Sequence, residues 1–283
     1  MKKNFFLLLL AVSLWACKKE KDTREPATEQ QYNDVSYGTD SRQKFDAFLP
    51  AGRDENTPLV VLVHGGTWIS GDKADMQFIQ NTLKQQGIAS VNMNYRYASA
   101  SNHYEGLMQD VGAVFAAIAN NADKWRVRKN GYILLGVSAG AHMALLYSYA
   151  YQSQGQVKGV VSLAGPSLFS SQFLTAASNP ALSAGIVAMV GAGIQSGELS
   201  PRFAEASPLN RISNVPTLQV HGTADVVVPY LQAQLLANAL NGKGVANKLI
   251  AVEGGGHDLS LAGVTNVGNI LNEISSFITA RSK

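Results

Sequence analysis

The chain of 283 residues contains one cysteine, Cys17. An intrachain disulfide is therefore impossible, and oxidative cross-links contribute nothing to the fold. Charge imbalance is also missing. Lys and Arg number 23 against 20 Asp and Glu, and loss of Lys2 and Lys3 with an N-terminal leader lowers the formal charge from +3 to +1. A nearly neutral body offers no electrostatic case for nucleic acid or an acidic polymer. The five histidines include no i, i+4 pair and there is no cysteine cluster, so no zinc site is expected. No G-x-G-x-x-G follows an apolar strand, which argues against a dinucleotide, and no cofactor is expected. There is no internal repeat, and no apolar run reaches the roughly 20 residues that span a bilayer.

The one long apolar run is short and N-terminal. Lys2 and Lys3 precede Phe5 to Cys17, the pattern of a secretory signal over residues 1–16. Leu14-Trp15-Ala16-Cys17 resembles a bacterial lipoprotein box, in which the cysteine is lipidated and becomes the mature N-terminus. The charged stretch after it buries too little to order itself, so residues 17–36 read as a lipid-bearing tether. The expectation is an exported protein anchored in the bacterial cell envelope through Cys17, on the periplasmic or outer surface.

Residues 37–283 are long enough for one large α/β domain. Gln43 to Leu49 partly alternates and ends at Pro50, the pattern of an edge strand. Pro58 to His64 is continuously apolar and β-branched, the signature of a strand buried on both faces. Further strands are expected at Ile88–Tyr95, up to Ser138, and at Val157–Leu163, Thr217–His221 and Asn247–Val252. Helices are expected over Ala74–Gln86, His103–Asp123, Ala141–Tyr151, Tyr230–Leu240 and Asn266–Ile278. This alternation implies a mainly parallel sheet with helices on both faces. Residues 165–206 break the rhythm. Rich in Ala, Ser and Gly, and helical around Ala181 to Val190, they read as a cap-like insertion ahead of the strand at Thr217.

The chemistry concentrates at strand ends, where open α/β sheets bind ligands. Gly136-Val137-Ser138-Ala139-Gly140 reads as a sharp turn from a buried strand into a helix. Such a turn lifts the Ser138 hydroxyl out beside the Ala139 amide at a helix N-terminus. A serine needs a base to take its proton, and the base needs an acid to fix its tautomer. His257, after Gly254-Gly255-Gly256, is the candidate base. Asp225, in His221-Gly222-Thr223-Ala224-Asp225, is the candidate acid. His64-Gly65-Gly66-Thr67-Trp68 follows the strand ending at Val63. Its Gly65 and Gly66 amides can join that of Ala139 as donors to an oxyanion. Trp68 fits either a substrate cleft or the core. His142 reads as a buried structural histidine, His64 as a brace for its loop, and His103 as exposed.

From about Tyr37 to Ile278 the chain resembles an α/β-hydrolase. It is similar to the carboxylesterase branch that includes hormone-sensitive-lipase-like and feruloyl-esterase-like enzymes. The motifs that carry the resemblance are His64-Gly65-Gly66 with Trp68 and Gly71-Asp72-Lys73, Asn94-Tyr95-Arg96, Gly136 to Gly140, His221 to Pro229, and Gly256-His257. The resemblance implies Ser138 as nucleophile, His257 as general base and acid, Asp225 as its orienter, and Gly65, Gly66 and Ala139 as oxyanion donors. It implies hydrolysis of a small-molecule or saccharide ester through an acyl-enzyme. Thr67 stands where many such enzymes have a third glycine, and its side chain is expected to narrow the space beside that site. Two other readings stay open. One is an amide hydrolase or peptidase resembling kynurenine formamidase; the other is a non-catalytic surface-binding lipoprotein on a hydrolase scaffold.

Overall fold

The computed structural model describes residues 25–153, 155–176, 180–195, 198–259 and 264–282. The leader and Cys17 lie outside them. Eight of the described strands form one sheet: β1 (Gln30–Ser36), β2 (Lys44–Leu49), β3 (Leu59–Val63), β4 (Ala89–Met93), β5 (Tyr132–Val137), β6 (Val157–Leu163), β9 (Thr217–Gly222) and β10 (Asn247–Val252). Their order is β1-β2-β4-β3-β5-β6-β9-β10. Only β2 runs against the rest, antiparallel to β1 and β4. The other pairings are parallel.

The central strands are apolar throughout because helices cover both faces. Every residue of β3 is buried, which is what parallel strands packed on two sides require. On one face Val61, Val63 and Leu134 pack under α2 (Tyr104–Trp125), α3 (Ala139–Leu146) and α7 (Leu231–Gly242). On the other, Val60, Leu62, Ile133 and Leu135 pack with Leu83 of α1 (Gln77–Gln85) and with Ile274 and Ile278 of α8 (Val264–Arg281). Each fully buried Leu, Ile or Val of these layers contributes about 1.5–3 kcal/mol relative to leaving it in water.

Two expectations need correction. The sheet begins at Gln30, inside the stretch read as tether, and β2 is therefore not the edge; β1 covers it. The reason lies in the register. A bulge between Tyr32 and Val35, with Asp34 at φ 52°, breaks the period of two and hides the strand pattern. The N-terminal segment is fastened further upstream, where Gly52 N–H donates to Ala27 O and the Arg53 guanidinium donates to Thr28 O and to Gln30 Oε1.

Between β6 and β9, residues 165–206 hold α4 (Ser171–Ala176), α5 (Pro180–Val190), a two-residue hairpin of β7 (Ile194–Gln195) and β8 (Glu198–Leu199), and α6 (Pro201–Glu205). The buried side of α5 carries Leu182, Gly185, Ile186 and Met189. Gly185 lies against the loop after β3: a Cβ there would stand 2.1 Å from the Thr67 carbonyl oxygen.

Candidate active site

Ser138 occupies the turn from β5 into α3 with φ 52° and ψ −117°, a conformation strained for a residue with a side chain. Local packing enforces it. A Cβ at Gly136 would meet the Gly140 carbonyl oxygen at 2.2 Å, and one at Gly140 would meet the Val63 carbonyl oxygen at 2.2 Å. Strand and helix can approach so closely only with both side chains absent. Ser138 N–H donates to Leu163 O at 2.8 Å and its carbonyl accepts from His142 N–H at 3.0 Å, which locks the turn. The helix starts at Ala139 rather than Ala141, and a wider π-type turn over Tyr147–Tyr151 ends it.

The three candidate residues, from three strand ends, meet. Ser138 Oγ lies 2.9 Å from His257 Nε2. His257 Nδ1 lies 2.8 Å from Asp225 Oδ2. Since a carboxylate only accepts, His257 carries its proton on Nδ1, which leaves Nε2 to accept from the serine hydroxyl. The Asp225 side chain is fully buried while that of His257 is 26% exposed, so the base opens to substrate and the acid does not. Asp225 Oδ1 accepts from the backbone N–H groups of Val227 and Val228, each at 2.8 Å. Burial pushes its pKa up, but hydrogen bonds from His221 and His257, with those amides, outweigh it and hold the carboxyl well below the usual range. It is therefore held as the anion across any working pH.

Gly65, Gly66 and Thr67 form a half-open loop opposite Ser138. A Cβ on Gly65 would sit 3.4 Å from that of Ser138, so the loop and the serine adjoin. Gly66 O accepts from Ile69 and Ser70 N–H, closing a tight turn in which Thr67 and Trp68 have φ of 51° and 62°. No described carbonyl accepts from the Gly65 or Gly66 amide in this turn. The Ala139 amide is the first of α3, one of those a helix leaves without an internal partner. Gly65 adjoins Ser138 and Ala139 follows it at the helix N-terminus.

Trp68 does not line an open cleft. It is fully buried, and its Nε1–H donates to His142 Nδ1 at 3.1 Å. The left-handed backbone at Trp68 turns the indole inward, against His142 and Phe169. His142 in turn donates Nε2–H to Ala206 O at 2.8 Å, and burial lowers its pKa to about 4. It is a neutral strut, as expected. His64 donates Nδ1–H to Gly65 O, stacks on Tyr95 at 4.3 Å, and is likewise held neutral by burial, its pKa lowered to about 4. His103 is half-buried rather than exposed, because its Nδ1–H donates to Ala188 O of α5 at 2.9 Å.

Two residues of the site escape sequence reading. Arg42 donates to Tyr95 O, Gly71 O and His64 Nε2, and lies 3.8 Å over the Tyr97 ring, tying the glycine loop to the chain after β4. Nothing in its local sequence marks it. His221 places Nε2 at 3.2 Å from Asp225 Oδ2. Its i, i+4 spacing to the acid was the available signal.

Residues 45–240 match the BD-FAE family. The chain belongs to that family. Among curated proteins, the BD-FAE chain is 26% identical over 246 residues to the isoprenylcysteine alpha-carbonyl methylesterase ICME of Arabidopsis thaliana, covering 81% of this chain and 57% of that protein. It is 28% identical over 151 residues to the kynurenine formamidase of Danio rerio, covering 52% of this chain and 50% of that one. It spans about half to three fifths of the length of these relatives. A structure of an inhibited esterase B from Lactobacillus rhamnosis superposes with a TM-score of 0.74 at 20% identity, over 92% of this chain and 90% of that one. That likeness shows the α/β-hydrolase fold, the architecture expected from the sequence.

Proposed function

We propose that this BD-FAE member is a serine hydrolase that cleaves carboxylic esters through an acyl-enzyme. The observation that carries the reading is the unbroken relay from Ser138 Oγ to His257 Nε2, and from His257 Nδ1 to Asp225. His257 takes the hydroxyl proton as Ser138 Oγ bonds the ester carbonyl carbon. The oxygen that gains the electron pair is held by the amides of Gly65, Gly66 and Ala139. On collapse, the carbonyl re-forms and the bond to the alcohol oxygen breaks. Nε2 delivers its proton to that oxygen. Water then repeats the sequence on the acyl-enzyme and frees the acid and Ser138. Asp225, anionic at any working pH, stabilises the imidazolium at each step.

No cofactor takes part. Small-molecule or saccharide esters with short acyl groups are the substrates this reading takes. The similarity to kynurenine formamidase supports a second reading, hydrolysis of an amide, because the relay itself serves either bond. The intact relay weighs against a non-catalytic binding protein. Export and lipid anchoring through Cys17, on the periplasmic or outer face of the envelope, belong to the proposal and rest on the leader sequence alone.

The test is turnover of a short-chain aryl ester by Ser138→Ala. Activity should fall by at least about a thousandfold with the fold intact, and a fluorophosphonate probe should label the wild type only. Near wild-type turnover would refute the reading. A panel of p-nitrophenyl esters, acetylated or feruloylated sugars and formylkynurenine then separates ester from amide preference.

A further inference from the structure

The relay does not end at Asp225. A second imidazole, His221 at the end of β9, lies on the far side of the acid, and nothing in the ester mechanism as written requires it. His221 is 1% exposed. Its Nε2 stands 2.7 Å from Val228 O and 3.2 Å from Asp225 Oδ2. Both neighbours are acceptors, so Nε2 carries a hydrogen whatever the charge on the ring, donated to Val228 O with Asp225 Oδ2 beside it. The contacted oxygen, Oδ2, is the one that accepts from His257 Nδ1. Two imidazole N–H groups thus face a single carboxylate oxygen, that of His257 at 2.8 Å and that of His221 at 3.2 Å, while Oδ1 takes the two backbone amides of Val227 and Val228.

We propose that His221 is a positioning residue for the reaction, which fixes Asp225 Oδ2 under His257 Nδ1 and limits how strongly that oxygen attracts the base's proton. The inference rests on the serine-hydrolase reading and deepens it. The geometry separates this role from that of a mere core residue. The bond from His221 to Val228 O closes the turn that carries Asp225, so the same ring shapes the backbone and touches the carboxylate. Its other neighbour is the Tyr230 ring, 6.0 Å away and edge-on. Among the described residues, the titratable groups facing His221 are Asp225 and Tyr230; His257 reaches it through the shared oxygen. With the His221 donor removed, Oδ2 turns its full charge to His257 and favours the imidazolium, so the base loses its neutral form at a higher pH. The carboxylate also gains freedom to swing away.

Two signatures follow. In His221→Phe, kcat should fall about 10- to 100-fold with KM little changed, the scale set by loss of one hydrogen bond to a charged group. The acidic limb of the kcat/KM profile should move up by about half a pH unit or more. His221→Gln, which keeps a side-chain N–H donor, should recover most of the rate and the wild-type limb. Urea midpoints of each variant separate folding from catalysis. A His221→Phe enzyme with wild-type kcat and profile overturns the proposal, as does an equal loss in both variants with an unmoved limb. Should His221→Phe fail to fold, the wild type itself decides. Nitrogen-15 histidine spectra should show His221 protonated at Nε2 across pH 5–9, and a ring protonated only at Nδ1 overturns the proposal. Ser138→Ala assayed alongside keeps the two readings apart, since its retained turnover would refute the hydrolase itself, whereas an inert Ser138→Ala beside an unaffected His221→Phe refutes only the role of His221.

Discussion

At the scale of single residues, the site depends on imidazoles held in different states by their surroundings. His64 and His142 are buried with neutral rings whose nitrogens are matched to one donor and one acceptor each. Burial lowers both pKa values to about 4, against about 6.5 in an unfolded chain. Between those values the unfolded state binds more protons than the folded one, so stability rises with pH across the window. The contribution is complete above about 6.5 and is lost as pH falls toward 4, at most about 3 kcal/mol for each ring. Asp225 acts lower down. Its depressed pKa contributes stability above about 3.9 that disappears only as the pH drops further. Urea midpoints should therefore decline from pH 7 to pH 4.5, and a flat profile over that range would contradict the buried neutral histidines.

At the scale of elements, α5 and the glycine loop are one unit. Helix α5 is held from outside by His103 Nδ1–H on Ala188 O and by Arg202 Nε–H on Val190 O, at 2.9 and 2.7 Å. It is seated inside by Gly185 against Thr67. Two effects oppose each other in Gly185→Ala. Helix propensity alone would favour alanine by about 1 kcal/mol. A Cβ 2.1 Å from the Thr67 carbonyl oxygen forces the helix or the loop to move, and such overpacking costs typically about 1–3 kcal/mol. The clash wins, because the neighbour is backbone already at a positive φ and has no rotamer to yield. Gly185→Ala should therefore lower both the urea midpoint and the ester-hydrolysis kcat, since the displaced loop carries Gly65 and Gly66. Wild-type stability and rate together would show the contact to be slack.

At the scale of the whole molecule, the contacts that fasten the N-terminal segment determine how an anchored form would sit. Arg126 Nη1 donates to Glu25 O, and Arg53 fastens Thr28 and Gln30, so the body holds the chain from Glu25 onward. Cys17 is eight residues earlier, a reach of roughly 29 Å even fully extended. A body of this length has a radius of gyration of about 18 Å, so a lipid on Cys17 keeps the domain within its own diameter of the bilayer. No helix among the described residues is long and apolar enough to cross a membrane. Cells expressing the full chain should incorporate labelled fatty acid, and Cys17→Ser should lose the label and leave the membrane fraction while keeping its specific activity. Label persisting in Cys17→Ser would remove the anchor from the proposal.

The sequence alone determined the parts that rest on local chemistry. The continuous β-branched run of β3, the Gly136–Gly140 turn and the polar residues just past β9 and β10 are legible because backbone sterics and burial on two faces constrain residue type over a few positions. They were enough to name Ser138, Asp225 and His257 and to predict the sheet that joins them. Tertiary structure decided what depends on partners distant in the chain. The strand β1 became visible only when paired, since its bulge scrambles the alternation. Trp68 was assigned to the core by a hydrogen bond to a residue 74 positions away, and Arg42 to the glycine loop by contacts no periodicity encodes. His221 gained its role when the fold brought His257 to the same carboxylate oxygen. A hydrogen bond is decided by where two atoms meet, and for groups far apart in the chain only the folded sheet determines that.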